Sequence, residues 1–388
     1  MLGFYGERLR EAREARALTA SQLAELIGVT KQAVNMYEKS RCRPSEEVFE
    51  KISKVLRIPK RYFVRPPQPA SKSPIFYRSM ASATQKMRMR AERRLGWIKE
   101  ILSFLSQYID FPTINIPDIK PPSDPLVITE KMIEEAAASL REHWKLGEGV
   151  INNVALLMEN GGVIGSRFNL AANKLDAFSV WDDYTQRPLL VLTADKECAA
   201  RSRFDAAHEL GHLLIHRNVP KPLLANKTVF ALMEDQAHYF GRAFLLPARP
   251  FARGFLLPTL NTFKNMKQKW KLSIGLMIKR SEELGLISHE QANRLWINRS
   301  RQGWATREPF DDEIPPEQPV LLSRSVKLLI DSGKTDAETF LDELGLPAED
   351  VEELTGVSAG YLTGKPVLAK PETEPEPRLL SFPHINAS

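Results

Sequence analysis

The sequence predicts a multidomain chain: an all-α unit followed by an α+β unit with a small hairpin or sheet. Three observations lead there. Residues 4–63 are poor in glycine and helical in period, and the Pro-rich break "RPPQPASKSP" (65–74) closes them off. Beyond residue 126, helical periods alternate with short apolar runs of strand length. Charge divides the chain in the same sense. Residues 1–100 hold 22 Lys and Arg against 10 Glu and no Asp, a net of +12 within a total of +6, so the remainder is acidic by 6. A basic first third suits a polyanion-binding module joined to a part that binds no polyanion.

At 388 residues and 43% apolar content, the chain is long enough for two or three domains with their own cores. The opening "MLGFYGERLREAREAR" brings in charge by Glu7 and lacks the apolar centre of a secretion signal. No run approaches the roughly 18 apolar residues of a membrane span, so a cytoplasmic protein with no membrane partner is expected. Cys42 and Cys198 lie far apart and suggest no disulfide framework, in keeping with a reducing compartment. The expected units are 1–68, a helical linker over 69–125, 126–307, and a small helical C-terminal region with a disordered tail over 308–388.

In the first unit, "TASQLAELIGVTKQAVNMYEKSRCRPS" (19–45) reads as two short helices about a tight turn. Thr19 can cap the first, with Gln22 three residues later at the capping-box position; Leu23, Ala24 and Ile27 form its buried stripe. Gly28 is the turn residue, and Thr30 caps a second helix whose Val34 and Tyr37 face inward. Lys31, Gln32 and Asn35 are left on its outer face, where a recognition helix presents side chains to base edges of double-stranded DNA. Lys39, Arg41 and Arg43 come next, placed for phosphates.

This segment resembles the Cro/repressor-like helix-turn-helix family of the xenobiotic-response-element (XRE) type over about residues 5–63. Gln22, Leu23, Ala24, Gly28, Val29, Val34, Glu38, Pro44 and the apolar "VFEKISKVLRI" carry the resemblance. Ser40 departs from it, standing where that family has glycine. Because serine reaches the left-handed conformation less easily, the end of the recognition helix is expected to differ.

A second helical stretch, 79–108, is basic in its first half and apolar in its second, and the Pro-rich "FPTINIPDIKPPSDP" (111–125) breaks the chain again. Helices are then expected over 129–144 and 147–160, with Gly161-Gly162 as a stop, and a strand over 163–168. "AFSVWDD" (177–183) and "RPLLVLTAD" (187–195) read as a hairpin. Later helices are expected at about 231–246 up to Pro247, 262–271, 274–284 and 289–300, with Ser273 and Ser288 as caps and Gly285 as a stop. Residues 320–364 can form a small helical unit, and the tail after them is expected to be disordered.

"AAHELGHLLIH" (206–216) places three of the seven histidines within nine residues of an apolar helical run. His208 and His212 are one turn apart and can reach one ion, and Glu209 can take a proton from water activated beside it. His216 is about 12 Å from His208 by helical rise, too far to share the ion, which leaves it to touch a ligand or substrate. The plain alternative is three histidines filling a core. Two histidines with a carboxylate fit poorly in a core unless partnered. A catalytic zinc needs a third protein ligand, and "ALMEDQAHYFGRAFLLP" (231–247) offers Glu234, Asp235 and His238; spacing alone does not choose among them.

"SRFDAAHELGHLLIH" succeeded by "MEDQAHYFGRAFLLP" is similar to the ImmA/IrrE family of metallopeptidases, over roughly 150–300. The resemblance implies a zincin-like fold, one Zn2+ per chain held by His208, His212 and Glu234, and Glu209 as general base. Two positions depart from the family's pattern, Asp205 and Gly241. Asp205, one turn before His208, can orient that imidazole or cap the helix, and the cap is the expected role. His216, His238, Tyr239 and Arg203 are candidate donors to a developing oxyanion.

The resemblance further implies a regulator of stress, phage or mobile-element genes that cleaves a repressor-type transcription factor; the chain itself, cut in the Pro-rich linker at 65–74, is the other expected substrate. It would read an operator through its basic domain, as a homodimer if it behaves like other repressor-type domains. The alternative is a transcriptional regulator whose zinc-binding domain is a non-cleaving sensor or dimerisation module. A zinc-free structural domain is the third reading.

Overall fold

Thr19 accepts the amide of Gln22 while the Gln22 side chain accepts the amide of Thr19, so the first predicted capping box forms as written. Gly28 takes the left-handed conformation at φ 73° that ends that helix, and Thr30 accepts the amide of Ala33 to start the next. The computed structural model describes residues 3–68, 75–77, 84–170, 177–194 and 198–364. The predicted tail beyond 364 and most of the 65–74 linker lie outside the described residues.

The all-α unit consists of α1 (Gly6–Ala15), α2 (Ala20–Ile27), α3 (Lys31–Glu38) and α4 (Glu46–Leu56), then a 3-10 turn at Lys60–Val64. A short strand β1 (Ile75–Tyr77) precedes α5 (Gln85–Leu105). Next come α6 (Glu130–His143), α7 (Val154–Asn160) and the strands β2 (Ile164–Phe168), β3 (Ala177–Asp182) and β4 (Arg187–Thr193). α8 (Ala199–Ile215) carries the histidines. After it come α9 (Lys221–Leu224), α10 (Lys227–Leu245), α11 (Ala248–Gly254), α12 (Leu260–Trp270), α13 (Ile274–Glu283) and α14 (His289–Arg301). The C-terminal helices are α15 (Leu321–Asp331), α16 (Ala337–Leu344) and α17 (Ala348–Thr355). Ser273 and Ser288 cap α13 and α14 as expected.

The sheet has the order β1-β3-β4-β2. β3 and β4 form the predicted antiparallel hairpin, while β2 pairs with β4 in parallel. β1 lies antiparallel on the outer edge of β3, with Ile75, Phe76 and Tyr77 opposite Val180, Ser179 and Phe178. Ala177, Leu190 and Leu192 face a core shared with α6, α8, α10 and α13. Phe178, Val180, Leu189 and Val191 join a second core with the all-α unit, α5 and the C-terminal helices. Burial on both faces explains why "RPLLVLT" is almost uniformly apolar rather than alternating.

Two expectations about elements are corrected. The helix expected from 147 begins only at Val154. The buried Arg141 guanidinium takes the carbonyls of Gly147, Gly149 and Phe244, which holds that segment in a turn. The end of α3 does not differ from the glycine pattern. Ser40 itself adopts φ 53°, and its Oγ accepts the Gly6 amide at 3.0 Å, a contact glycine could not make. That hydrogen bond offsets the cost of the left-handed conformation.

Candidate metal centre and DNA-binding helix

Almost every residue of α8 is buried, on all sides of the helix. A helix buried all round needs cover all round, and β3, β4, α6, α7 and α10 provide it. α10 crosses α8 closely because a glycine on each helix admits the other. A Cβ on Gly211 would lie 3.0 Å from the Phe240 ring, and one on Gly241 would lie 3.0 Å from the Phe204 ring and 3.3 Å from the His208 amide nitrogen. The close crossing brings Glu234 of α10 against the histidines of α8.

There, His212 Nε2 lies 3.1 Å from His208 Nε2 and 3.2 Å from Glu234 Oε1, and His208 Nε2 lies 3.6 Å from Glu234 Oε2. Among the described residues these three form the one group of His, Cys, Asp and Glu side chains able to hold a metal ion. Four ligands about 2.0–2.1 Å from a tetrahedral zinc are separated from one another by roughly 3.3 Å. The two imidazole nitrogens stand at about that separation, each beside one of the two Glu234 oxygens, and one donor atom from each residue lies within 4.8 Å of the others, so the set can close around one ion. Both imidazoles are fully buried, and the Glu234 side chain keeps 14% of its exposure, so the centre opens on the Glu234 side.

Glu209, also fully buried, receives a hydrogen bond from Ser179 Oγ to Oε2 at 2.6 Å. Sequence reasoning missed Ser179, although a hydroxyl in an otherwise apolar strand run is a signal in itself. Gln236 was missed as well. It is buried, faces His216 Nε2 through Oε1 at 2.9 Å, and donates to the carbonyls of Pro125 and Ile128. His216 Nδ1 in turn lies 2.9 Å from His212 Nδ1. Burial, and then the neighbouring His212 imidazole, holds the His216 pKa well below the usual histidine value.

The remaining candidates divide. His238 stands against the centre, its ring centroid 4.4 Å from that of His208. Its Nδ1 donates to the Glu234 carbonyl at 2.7 Å, so the neutral ring presents an acceptor at Nε2 rather than the N–H that an oxyanion needs. Tyr239 points away, donating to Glu134 at 3.1 Å; burial and that carboxylate push its pKa up to about 12. Arg203 is tied to Glu317 and to the carbonyls of Ile151 and Asn152, so it is structural and not an oxyanion donor. Asp205 is not a cap: α8 starts six residues earlier, with Cys198 at its N-cap, and Asp205 is buried within the helix.

In the first unit, Gln22, Thr30, Lys31 and Gln32 are exposed, together with Lys39, Arg41 and Arg43, and Asn35 is half-buried beside them. Met36 is 44% exposed beside them and was missed, because an apolar residue at helical spacing reads as core. Glu38 of α3 pairs with Arg13 of α1 through two hydrogen bonds, at 2.5 and 3.0 Å, which fixes the outward face of α3.

Two imidazoles and a carboxylate converging from crossed helices, with a second carboxylate beside the first imidazole, define a metallopeptidase-like centre. The outward polar face of α3 stands where a helix-turn-helix unit carries its recognition helix. Family models agree: residues 9–63 match the helix-turn-helix model and residues 165–282 match the IrrE N-terminal-like domain. The N-terminal unit is thus similar to XRE-type helix-turn-helix domains and the later unit to IrrE/ImmA-like peptidase domains, in the order of the expected fusion. No curated protein matches the chain. Among the described residues no helix is long and apolar enough to cross a membrane.

Proposed function

We propose that the protein is a DNA-binding transcriptional regulator with zinc-dependent endopeptidase activity. Its substrate would be a repressor-type transcription factor, or the chain itself, cut in response to stress or mobile-element signals. The observation that carries this reading is the donor group of His208, His212 and Glu234 with the Glu209 carboxylate beside it. One zinc per chain fits the set by distance and by chemistry, since two neutral imidazoles and one carboxylate are the usual donors of catalytic zinc. When bound, the ion supplies a Lewis acid that polarises a peptide carbonyl and acidifies water.

The chain's own residues would do the rest. Ser179 holds Oε2 of Glu209, which orients the other oxygen to take a proton from the attacking water and return it to the departing amine. Glu234 closes the metal set from α10, and the exposed edge at Glu234 is where substrate would enter. Lys31, Gln32 and Asn35 would read bases of a double-stranded operator while Lys39, Arg41 and Arg43 meet phosphates, in a homodimer with units near 1–68, 69–125, 126–307 and 308–388.

The test is the metal content of the purified protein beside Glu209→Gln, with cleavage of the repressor encoded by neighbouring genes as readout. About one zinc per chain in both, and cleavage in the wild type alone, is the expected result. Absence of zinc after metal-replete purification sinks the reading. A second reading, a zinc-binding sensor that cuts nothing, draws on the complete burial of His208, Glu209 and His212. Zinc without cleavage under every inducing condition selects it. DNA reading is tested separately by gel shift with Lys31→Ala and Asn35→Ala, each expected to weaken or broaden binding.

A further inference from the structure

The proton positions behind the metal set can be assigned from hydrogen-bond chemistry alone. Gln236 Nε2 donates to the Pro125 carbonyl at 2.8 Å and to the Ile128 carbonyl at 3.1 Å. Carbonyl oxygens only accept, so both amide hydrogens are engaged and the side chain cannot be flipped. Gln236 Oε1 then faces His216 Nε2 at 2.9 Å and can only accept, which puts the His216 proton on Nε2 and leaves Nδ1 as an acceptor. His216 Nδ1 lies 2.9 Å from His212 Nδ1, so His212 must carry its proton there. The lone pair of His212 is thereby left on Nε2, the atom beside Glu234 and His208.

We infer that Gln236 and His216 form a positioning relay that locks His212 as the Nδ1–H tautomer and presents its Nε2 to a zinc ion before the ion arrives. The inference rests on the reading of His208, His212 and Glu234 as the metal set. His212, His216 and Gln236 are all buried, so water is poorly placed to supply an alternative partner. The nitrogen that binds metal in an imidazole is set by the hydrogen bond its other nitrogen makes, and removing such a partner weakens metal affinity by about 10–100-fold. The relay is anchored on backbone carbonyls preceding α6. A carboxylate at 236 would face those two carbonyls, which explains an amide there.

Two measurements test it. Long-range nitrogen–proton NMR correlation on the zinc-free wild type should find His212 protonated at Nδ1 and His216 at Nε2; His212 protonated at Nε2 overturns the relay. Zinc affinity, measured by competition with a chromophoric chelator, should fall about 10–100-fold in His216→Phe. It should return to within a few-fold of wild type in His216→Gln, whose amide offers an acceptor to His212 and a donor to Gln236. Wild-type affinity in His216→Phe, or equal loss in both variants, also overturns it. If His216→Phe does not fold, the wild-type spectrum decides. A wild type that binds no zinc refutes the metal site, while its spectrum still reports on the relay.

Discussion

Ser179 and Gln236 share a property that the histidines of the centre do not have. Each is a single polar side chain on a face otherwise filled with apolar ones, and each is satisfied by a specific partner at the centre. The spacing of His208, Glu209 and His212 was legible because i, i+1 and i+4 on one helix fix their directions without reference to the rest of the fold. Glu234 was not separable from Asp235 and His238 by spacing, since the choice depends on the rotational phase of α10 against α8. The same phase turns Tyr239 toward Glu134 and Arg280 rather than the histidines. Replacing Ser179 by Ala removes a hydrogen bond to a buried carboxylate, worth about 1.5–3 kcal/mol. If the centre cleaves protein, kcat/KM should fall roughly 10–100-fold with zinc content unchanged. Unchanged turnover at equal zinc content would separate Ser179 from the function of Glu209.

Between elements, close approach and capping decide most of what the sequence left open. Gly211 lies within the histidine motif, where glycine is a poor helix former, yet α8 is continuous through it and the missing side chain admits Phe240. For Gly211→Ala two effects oppose. Helix propensity gains about 0.5–1 kcal/mol, while pressing a methyl group into a ring at 3.0–3.2 Å costs typically about 1–3 kcal/mol. The clash should win, and thermal unfolding should shift down rather than up. A second contact joins α7 to α15, where the buried Glu159 carboxyl accepts the amides of Val320 and Leu321. Burial outweighs those hydrogen bonds and pushes its pKa from the ordinary 4.5 up to about 7. Between those values the folded chain binds a proton that the unfolded chain does not, so this group's contribution is full below about 4.5 and is lost as pH rises through 7, on the order of 3 kcal/mol. Tm measured from about pH 5 to 8 should fall less steeply in Glu159→Gln than in the wild type, and parallel curves would count against the assignment. The helices with caps were readable from local signals. The strand at 75–77 and the parallel pairing of β2 with β4 were not, because three residues after a Pro-rich stretch carry no period and strand pairing is a long-range choice.

Across the whole molecule, charge and composition suggested a basic unit, a helical linker, a larger α+β unit and a helical C-terminal region with no stated place. The structure puts that C-terminal region between the basic and α+β units. α15 and α17 pack on α5 and on the sheet face opposite α8, and Leu329, Phe340 and Leu354 share a core with Leu9, Trp97 and Val180. Its acidic residues meet the basic first third: Asp350 receives two hydrogen bonds from Arg16 at 2.7 and 2.6 Å, while Asp342 pairs with Arg61 and Glu353 with Arg94. The opposite charges read separately along the chain are thus partly a docking complement, and part of the +12 is neutralised within the protein rather than by DNA. This was illegible because complementarity between segments more than 250 residues apart leaves no periodic trace. A shared core predicts shared unfolding, so calorimetry on the full chain should give one cooperative transition for the DNA-binding unit, α5 and the C-terminal helices. Asp350→Ala should lower it modestly. Arg16 would keep its hydrogen bond to the Leu56 carbonyl at 2.8 Å and its place over the Trp97 ring, so the loss is closer to about 1–2 kcal/mol than to the roughly 3–5 kcal/mol of a fully buried broken pair. That corresponds to a fall of roughly 1–4 °C in a chain of this size. Two separate transitions in the wild type, or no shift in the variant, would mean that the C-terminal helices rest on the DNA-binding unit without stabilising it.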